Sequence, residues 1–461
     1  MSGKPLELVR GLGGWAAAAI VVGTMIGTGI FIVPADMARS VGTVGLVFTV
    51  WIVGGALSLF GALSYAELGA ALPEAGGEYA YMSRAYGPAW GYLFGWMHSI
   101  VGRPTSVATI AAGLLRFWGF LVPGVAAPLF IWHIALPFGS QPYTFVFTWA
   151  QPLAVLAIAA ITFLNCLGVR LGGQVQVALT LIKIAAVLAV VALGFALGHG
   201  SAASFQPLFT SGSATLAGFL SALVGALWAY DGWSNVNLVG SEVVNPQKNI
   251  PRALIGGVAT VCGLYLLMTG ACFYAMSFTS VAASAHIASD VIEKVTGHGS
   301  ASWLTAAMII CALGTLNSSI LSGARVDYAM ARDKLFFRPL ASVHPKYRVP
   351  ANALIFQGCI AALLALTGTF EELYSLFIFA GWIFYGLATA SVIWLRFKEP
   401  DLPRPYRTWG YPVIPALFVI GALALTVSIW LDRPWRCTIG LVLILLGLVF
   451  YRRWGAAVAT R

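Results

Sequence analysis

Apolar stretches of ~20 residues, long enough to cross a hydrocarbon core of about 30 Å, recur along nearly the whole chain. Hydropathy places twelve of them, at about 13–36, 44–71, 88–118, 149–168, 173–197, 214–240, 252–277, 302–330, 350–368, 372–396, 412–431 and 437–453. The segment 119–138 is also apolar, but Pro123, Pro128 and Pro137 interrupt it, and it reads as a structured outer loop. In the first and sixth spans glycine and polar residues enter the apolar run itself. These segments are Gly23-Thr24-Met25-Ile26-Gly27-Thr28-Gly29 and Trp228-Ala229-Tyr230-Asp231-Gly232-Trp233. Both predict a helix broken at mid-membrane depth. Backbone amides and carbonyls freed there survive in lipid only where they line a cavity. Two breaks at matching places in two halves point to a transporter substrate site.

Spans 1–5 and 6–10 then read as one unit used twice, and an odd number of spans per unit makes the copies point oppositely. The expected fold is an all-α polytopic membrane protein, one domain over residues 1–461. It has twelve transmembrane helices in a 5+5 inverted repeat with discontinuous helices 1 and 6, plus two extra helices. Repeat one covers about 13–197, repeat two about 214–396, and the extra helices about 412–453.

Composition narrows the picture in the same direction. The chain is 59% hydrophobic and only 9% charged, against roughly 25% charged in ordinary soluble domains. A mean hydropathy of +0.86 excludes a water-soluble globule. The net charge of +10 does not imply nucleic acid, because the charges are scattered through short loops. With the N-terminus cytoplasmic, the outside carries only Arg39, Arg116, Lys294, Arg433 and Arg436. Most other basic residues fall inside, as the positive-inside rule requires. A further span at 119–138 would invert this bias. Both termini are therefore expected in the cytoplasm of a multi-pass cell-membrane protein. Lys4 and Arg10 precede a run too long for a cleavable signal, which reads as a retained first span. The six cysteines show no metal or disulfide spacing. No metal or cofactor is expected.

Several stretches resemble one family. Gly23–Phe31 (GTMIGTGIF) is similar to the first-span signature of amino acid–polyamine–organocation transporters. Trp228–Asn249 (WAYDGWSNVNLVGSEVVNPQKN) resembles the sixth span and following loop of the L-type amino acid transporter branch. Supporting matches are Pro73–Tyr81 (PEAGGEYAY), Arg103–Ser106 (RPTS), Asn165–Gln176, Arg325–Asp333 (RVDYAMARD) and Arg396–Arg407 (RFKEPDLPRPYR). The chain looks most like prokaryotic amino-acid exchangers and the light subunits of heteromeric transporters. Light subunits carry a cysteine in the outer loop after span three that bonds a glycoprotein partner. Residues 119–148 contain none, so no covalent heavy subunit is expected.

The resemblance implies a sodium-independent transporter of L-amino acids working by alternating access, with neutral substrates favoured. A range including cationic amino acids, or proton symport, stays open beside exchange. Its substrate site comprises Met25, Ile26, Gly27, Thr28 and Gly29, then Trp228, Ala229, Tyr230 and Asp231, with Ser234, Asn235 and Asn317. The start of a half-helix exposes unpaired amides and a partial positive charge, so the substrate carboxylate is assigned to the amides near Gly27, Thr28 and Gly29. The family pattern makes Met25, Trp228 and Asp231 carbonyl acceptors for the ammonium and Trp228 the aromatic gate. Lys183 would replace the sodium ion of coupled relatives, or else snorkel to the interface. Asp231 would hold a cationic side chain or the α-ammonium, or be satisfied by backbone. Asn317, Ser318 and Ser319 either contact substrate or bond across helices. Arg103 has no evident partner, and Glu67, Glu78 and Arg84 near the inner mouth read as solvated loop charges before gating pairs. An ion channel or membrane enzyme is disfavoured: there is no ring of like charge and no nucleophile–base cluster.

Overall fold

The computed structural model describes residues 7–134, 143–206, 208–210, 215–284, 286–297, 299–300, 302–367, 370–432 and 434–459. Its first helix, α1 (Gly14–Met25), ends at the first glycine-bearing segment. Ile26 leaves helical geometry at ψ 81°, a single 3-10 turn covers Gly29–Phe31, and α2 (Val33–Val41) resumes with Pro34 in its first turn. The second break follows the same plan. Helix α9 (Leu216–Ala229) stops at a run of turns over 230–234, and the short α10 (Asn235–Leu238) follows.

The remaining helices are α3 (Val44–Ala71), α4 (Glu78–Tyr86), α5 (Pro88–Met97), α6 (Arg103–Leu121), α7 (Ala150–Cys166), α8 (Val169–Leu197), α11 (Pro246–Ala275), α12 (Phe278–Ala283), α13 (Ile287–Thr296), α14 (Ser302–Arg332), α15 (Ala351–Thr367), α16 (Phe370–Lys398), α17 (Val413–Asp432) and α18 (Pro434–Ala459). Among the described residues seven helices are long and apolar enough to cross a membrane: α3, α8, α11, α14, α16, α17 and α18. Four shorter apolar helices, α1, α7, α9 and α15, accompany them. Broken spans are short by construction, so α1 and α9 fall below span length singly.

Helix α14 is the most buried of the long helices. It packs on α1, α6, α7, α8 and α15, while α11 packs on α1, α3 and α8. Small residues at these seams allow close approach. Outermost are α17 and α18, whose Ile420, Leu423, Leu431, Val442 and Val449 stay exposed, as lipid-facing side chains do.

Between α5 and α6 lies a π-turn, His98–Gly102. Pro104, just beyond it, has no amide proton to give the preceding turn, which favours a local widening. The loop after α6 holds a short 3-10 turn (Pro123–Ala126) and an antiparallel pair, β1 (Pro128–Ile134) with β2 (Tyr143–Thr148), Ile131 facing Val146. That hairpin departs from the all-helical expectation; residues 135–142 of the expected loop lie outside the described residues.

Candidate functional site

The two breaks meet. A Cβ on Gly29 would lie 3.1 Å from Ala229 Cα and 3.4 Å from the Trp228 ring, so only glycine lets the first break approach the second this closely. Gly232 adopts φ +98°, a left-handed conformation that glycine accepts without cost, and a side chain there would collide with Thr24.

One hydroxyl joins the broken ends. Tyr265 Oη, on α11, lies 2.6 Å from Met25 O and 2.8 Å from Ala229 O. A phenol has a single proton to donate, so at any moment it serves only one of these two helix-end carbonyls; Met25 O also accepts from the Gly27 amide at 2.8 Å. On the far side of the first break, Lys183 from α8 is fully buried. Its Nζ donates to Gly23 O at 2.6 Å, Ile26 O at 2.8 Å and Thr315 Oγ1 at 2.8 Å. Three donors meet three oxygens, so the ammonium is satisfied without water. Positive charge therefore sits among backbone carbonyls of α1 at the point where its helix stops.

Between the breaks is a cavity of about 110 Å³. A single water needs roughly 10–15 Å³ on this measure, so the space suits a solute of several heavy atoms. Met25, Gly27, Thr28 and Gly29 line one side, Trp228, Ala229, Asp231 and Asn235 another. The amides of Thr28 and Gly29 open the 3-10 turn and have no partner within it. Asp231 Oδ1 accepts from Tyr385 Oη at 2.9 Å. Arg103 also reaches the cavity wall; its Nη2 donates to Asn235 Oδ1 at 2.8 Å and its Nε approaches His98 Nε2 at 3.4 Å.

Not every expected residue is brought to this space. Ile26, Tyr230, Ser234 and Asn317 are absent from the described lining. Ile26 contributes its carbonyl to Lys183 instead. Tyr230 is buried and donates to Trp51 O at 3.2 Å. Asn317 joins α7, α8 and α14: it accepts from Asn165 and donates to Gln176 Oε1, both at 2.9 Å. Ser234 is buried, with its hydroxyl beside Glu78. Thr24, from the first glycine-bearing segment, and Ser319, weighed beside Asn317, do line the cavity, whereas Thr315, Tyr265 and Tyr385 belong to the site or its support without any sequence signal that singles them out. Tyrosine is common in this chain, and only the fold tells which hydroxyls face the breaks.

The inner-mouth acids need correcting. Glu67 and Glu78 are each 2% exposed, not solvated. Glu67 takes a two-pronged contact from Arg396, at 2.9 and 2.7 Å, and Arg404 lies 3.4 Å away. Only Arg84, paired with Glu399 at 2.8 Å, is at the surface. Deeper, Arg325 and Glu242 form a fully buried pair, Nε to Oε1 at 2.6 Å and Nη2 to Oε2 at 3.0 Å.

The amino acid permease family model matches residues 12–448. The b(0,+)-type amino acid transporter 1 of Homo sapiens is 32% identical over 451 residues, 97% of this chain and 88% of that protein. A serine/threonine exchanger of Bacillus subtilis (strain 168) is 30% identical over 440 residues, 94% of each. The large neutral amino acids transporter small subunit 2 of Homo sapiens is 33% identical over 458 residues, 97% of this chain and 81% of that protein. With two broken helices closing on a small polar cavity, several membrane-spanning helices and these relatives along its length, the chain belongs to the amino acid permease family and is a membrane transporter of amino acids, not an enzyme.

Proposed function

We infer that the chain is a sodium-independent exchanger of L-amino acids, chiefly neutral ones, that works by alternating access through twelve spans in a 5+5 inverted repeat. The observation carrying this reading is Lys183. Its ammonium occupies the carbonyl cluster of the first break, the kind of oxygen cage in which a coupling cation would otherwise sit. A fixed cation there removes the need for sodium. The amides of Thr28 and Gly29 would take the substrate carboxylate. The carbonyl that Tyr265 does not serve, Ala229 O or the second lone pair of Met25 O beside the Gly27 amide, would take the ammonium. Trp228, beside Gly29, would cover the bound solute as the outer gate. The approach of Asp231 to Tyr385 leaves one carboxyl oxygen for the substrate's polar end.

Exchange is supported by the bacillary relative, a serine/threonine exchanger. The small cavity favours compact neutral side chains. Both termini are placed in the cytoplasm by the distribution of basic loops. The absence of cysteine from residues 119–148 argues for a transporter without a covalent heavy subunit.

The test uses purified protein in liposomes preloaded with single unlabelled amino acids. Labelled neutral amino acid should enter only in exchange, and replacing sodium with choline should leave the rate unchanged. A large drop in choline would contradict the role given to Lys183.

A further inference from the structure

The hairpin that joins α6 to α7 is apolar on both of its faces. Leu129, Phe130, Ile131 and Trp132 follow one another along β1 and are 44, 51, 53 and 65% exposed. Successive side chains of a strand point to opposite faces, so neither face of β1 is covered by the rest of the molecule. Register sets Phe130 opposite Phe147 and Trp132 opposite Phe145, and these four rings share one face. Phe130 and Phe147 stack there with centroids 4.7 Å apart. Ile131 and Val146 lie on the other face, and Val146 is exposed too. A ribbon that meets water alternates apolar with polar positions, and an isolated pair of strands is barely stable there. This one has neither a polar face nor a third strand among the described residues.

Charge is missing as well. Between Arg116 and Arg170 the sequence holds no Asp, Glu, Lys or Arg. Trp118 in the last turn of α6, Trp132 on β1 and Trp149 at the start of α7 are all exposed. Tryptophan gathers where hydrocarbon meets headgroups. The hairpin is also fixed to a helix that faces lipid. Gln151, in the first turn of α7, accepts from the Thr148 amide at 2.8 Å and the Thr148 hydroxyl at 2.6 Å, and donates to Val146 O at 3.0 Å. Beyond this joint α7 turns Leu156 and Phe163 outward. The strand edges set the depth. Open edges are not tolerated within the hydrocarbon region, whereas water at the headgroup level can pair them.

We propose that the β1–β2 hairpin is a lipid-docking element. It lies flat in the boundary between headgroups and acyl chains of one leaflet, with the face of Phe130, Trp132, Phe145 and Phe147 toward the acyl chains. The occupant is the bilayer and not a second protein. A protein interface is framed by a polar rim, and the segment has no charged side chain to build one. Docking of this kind scales with buried apolar area, to which anionic lipid adds only when the surface is basic. A zwitterionic bilayer is therefore sufficient.

The measurement uses the full chain in phosphatidylcholine vesicles, with the exposed Cys359 replaced by alanine and Trp132→Cys carrying an environment-sensitive fluorophore. The same protein without Trp132→Cys supplies the background from the remaining cysteines. Lipid bearing a nitroxide high on its acyl chain should quench the label strongly, and iodide in the water only weakly. Phe130→Cys, on the same face, takes over if the first variant misfolds. Val146→Cys, on the other face, should lose more fluorescence to iodide than the aromatic face does; the reverse order overturns the assigned orientation. A label open to iodide and untouched by nitroxide lipid places the ribbon in water and overturns the proposal. Protection from both quenchers, or protection that appears only at high protein-to-lipid ratio, means that protein covers the face and overturns it too. No substrate is needed, so the outcome is independent of the exchange reading.

Discussion

Single side chains settle much of this molecule's behaviour. Tyr265 holds two helix ends with one proton. Its replacement by phenylalanine keeps the ring packing against Trp51 and Tyr230 and takes the phenol proton from both carbonyls, of which Met25 O keeps the Gly27 amide. An unmade buried hydrogen bond costs about 1–3 kcal/mol. The substrate concentration for half-maximal uptake should therefore rise roughly tenfold in Tyr265→Phe, read by concentration-dependent uptake with unchanged surface abundance. Trp228 carries a different duty. If its ring covers the solute, Trp228→Ala should lose most transport while the protein still reaches the membrane; near-normal uptake would refute the gate. Both residues are aromatic and apolar-flanked, so hydropathy alone ranks them equally with any other ring in the chain. Trp228 was legible because it sits in a recognisable motif, whereas Tyr265 becomes visible only when α11 is packed against both breaks.

At the scale of elements, the two interrupted helices were the best-announced feature. Glycine and polar residues inside an apolar run have few other uses in lipid, and the structure breaks both helices within those segments. What the elements do at the inner side was less legible. Glu67 and Glu78 read as solvated charges, yet both are buried, as is Glu242 at the turn after α10. The reason is that charge patterning reports only distance along the chain, and Glu242 meets Arg325 across 83 positions. This pair ties the chain beyond α10 to α14. Removing one partner leaves the other charge buried alone, at a cost of about 3–5 kcal/mol. Glu242→Ala should thus lower the melting temperature in detergent markedly. Replacing both partners with apolar residues, as in Glu242→Leu with Arg325→Met, should recover much of the loss.

Across the whole molecule, the proposed alternating access requires one seam to open while another closes. The inner seam is the Ala75–Val239 bridge with Gly76 on Leu238. Bridged residues have Cα atoms about 4.5–5.5 Å apart, within reach of a disulfide. Oxidation of a variant carrying Ala75→Cys and Val239→Cys should stop uptake, and reductant should restore it. Unchanged uptake after verified crosslinking would mean that this seam does not move. The β1–β2 hairpin adds a surface that hydropathy had not resolved into strands, because its proline-interrupted apolar run fits a strand pair and a failed span equally well.

The chain's pattern by itself determined its solvent: apolar runs of membrane length, scarce charge and basic loops allow no other medium. It also determined where two helices must break, since local residue type governs backbone freedom. Tertiary structure decided which partners satisfy the groups so exposed. Lys183 reaching Gly23 and Ile26, one Tyr265 hydroxyl serving two ends, Asn317 turned away into a bond between helices, and Glu78 buried beside a guanidinium occupied elsewhere all depend on contacts between distant segments. A buried polar group takes whatever donor or acceptor the packing delivers, and sequence spacing carries no record of that choice.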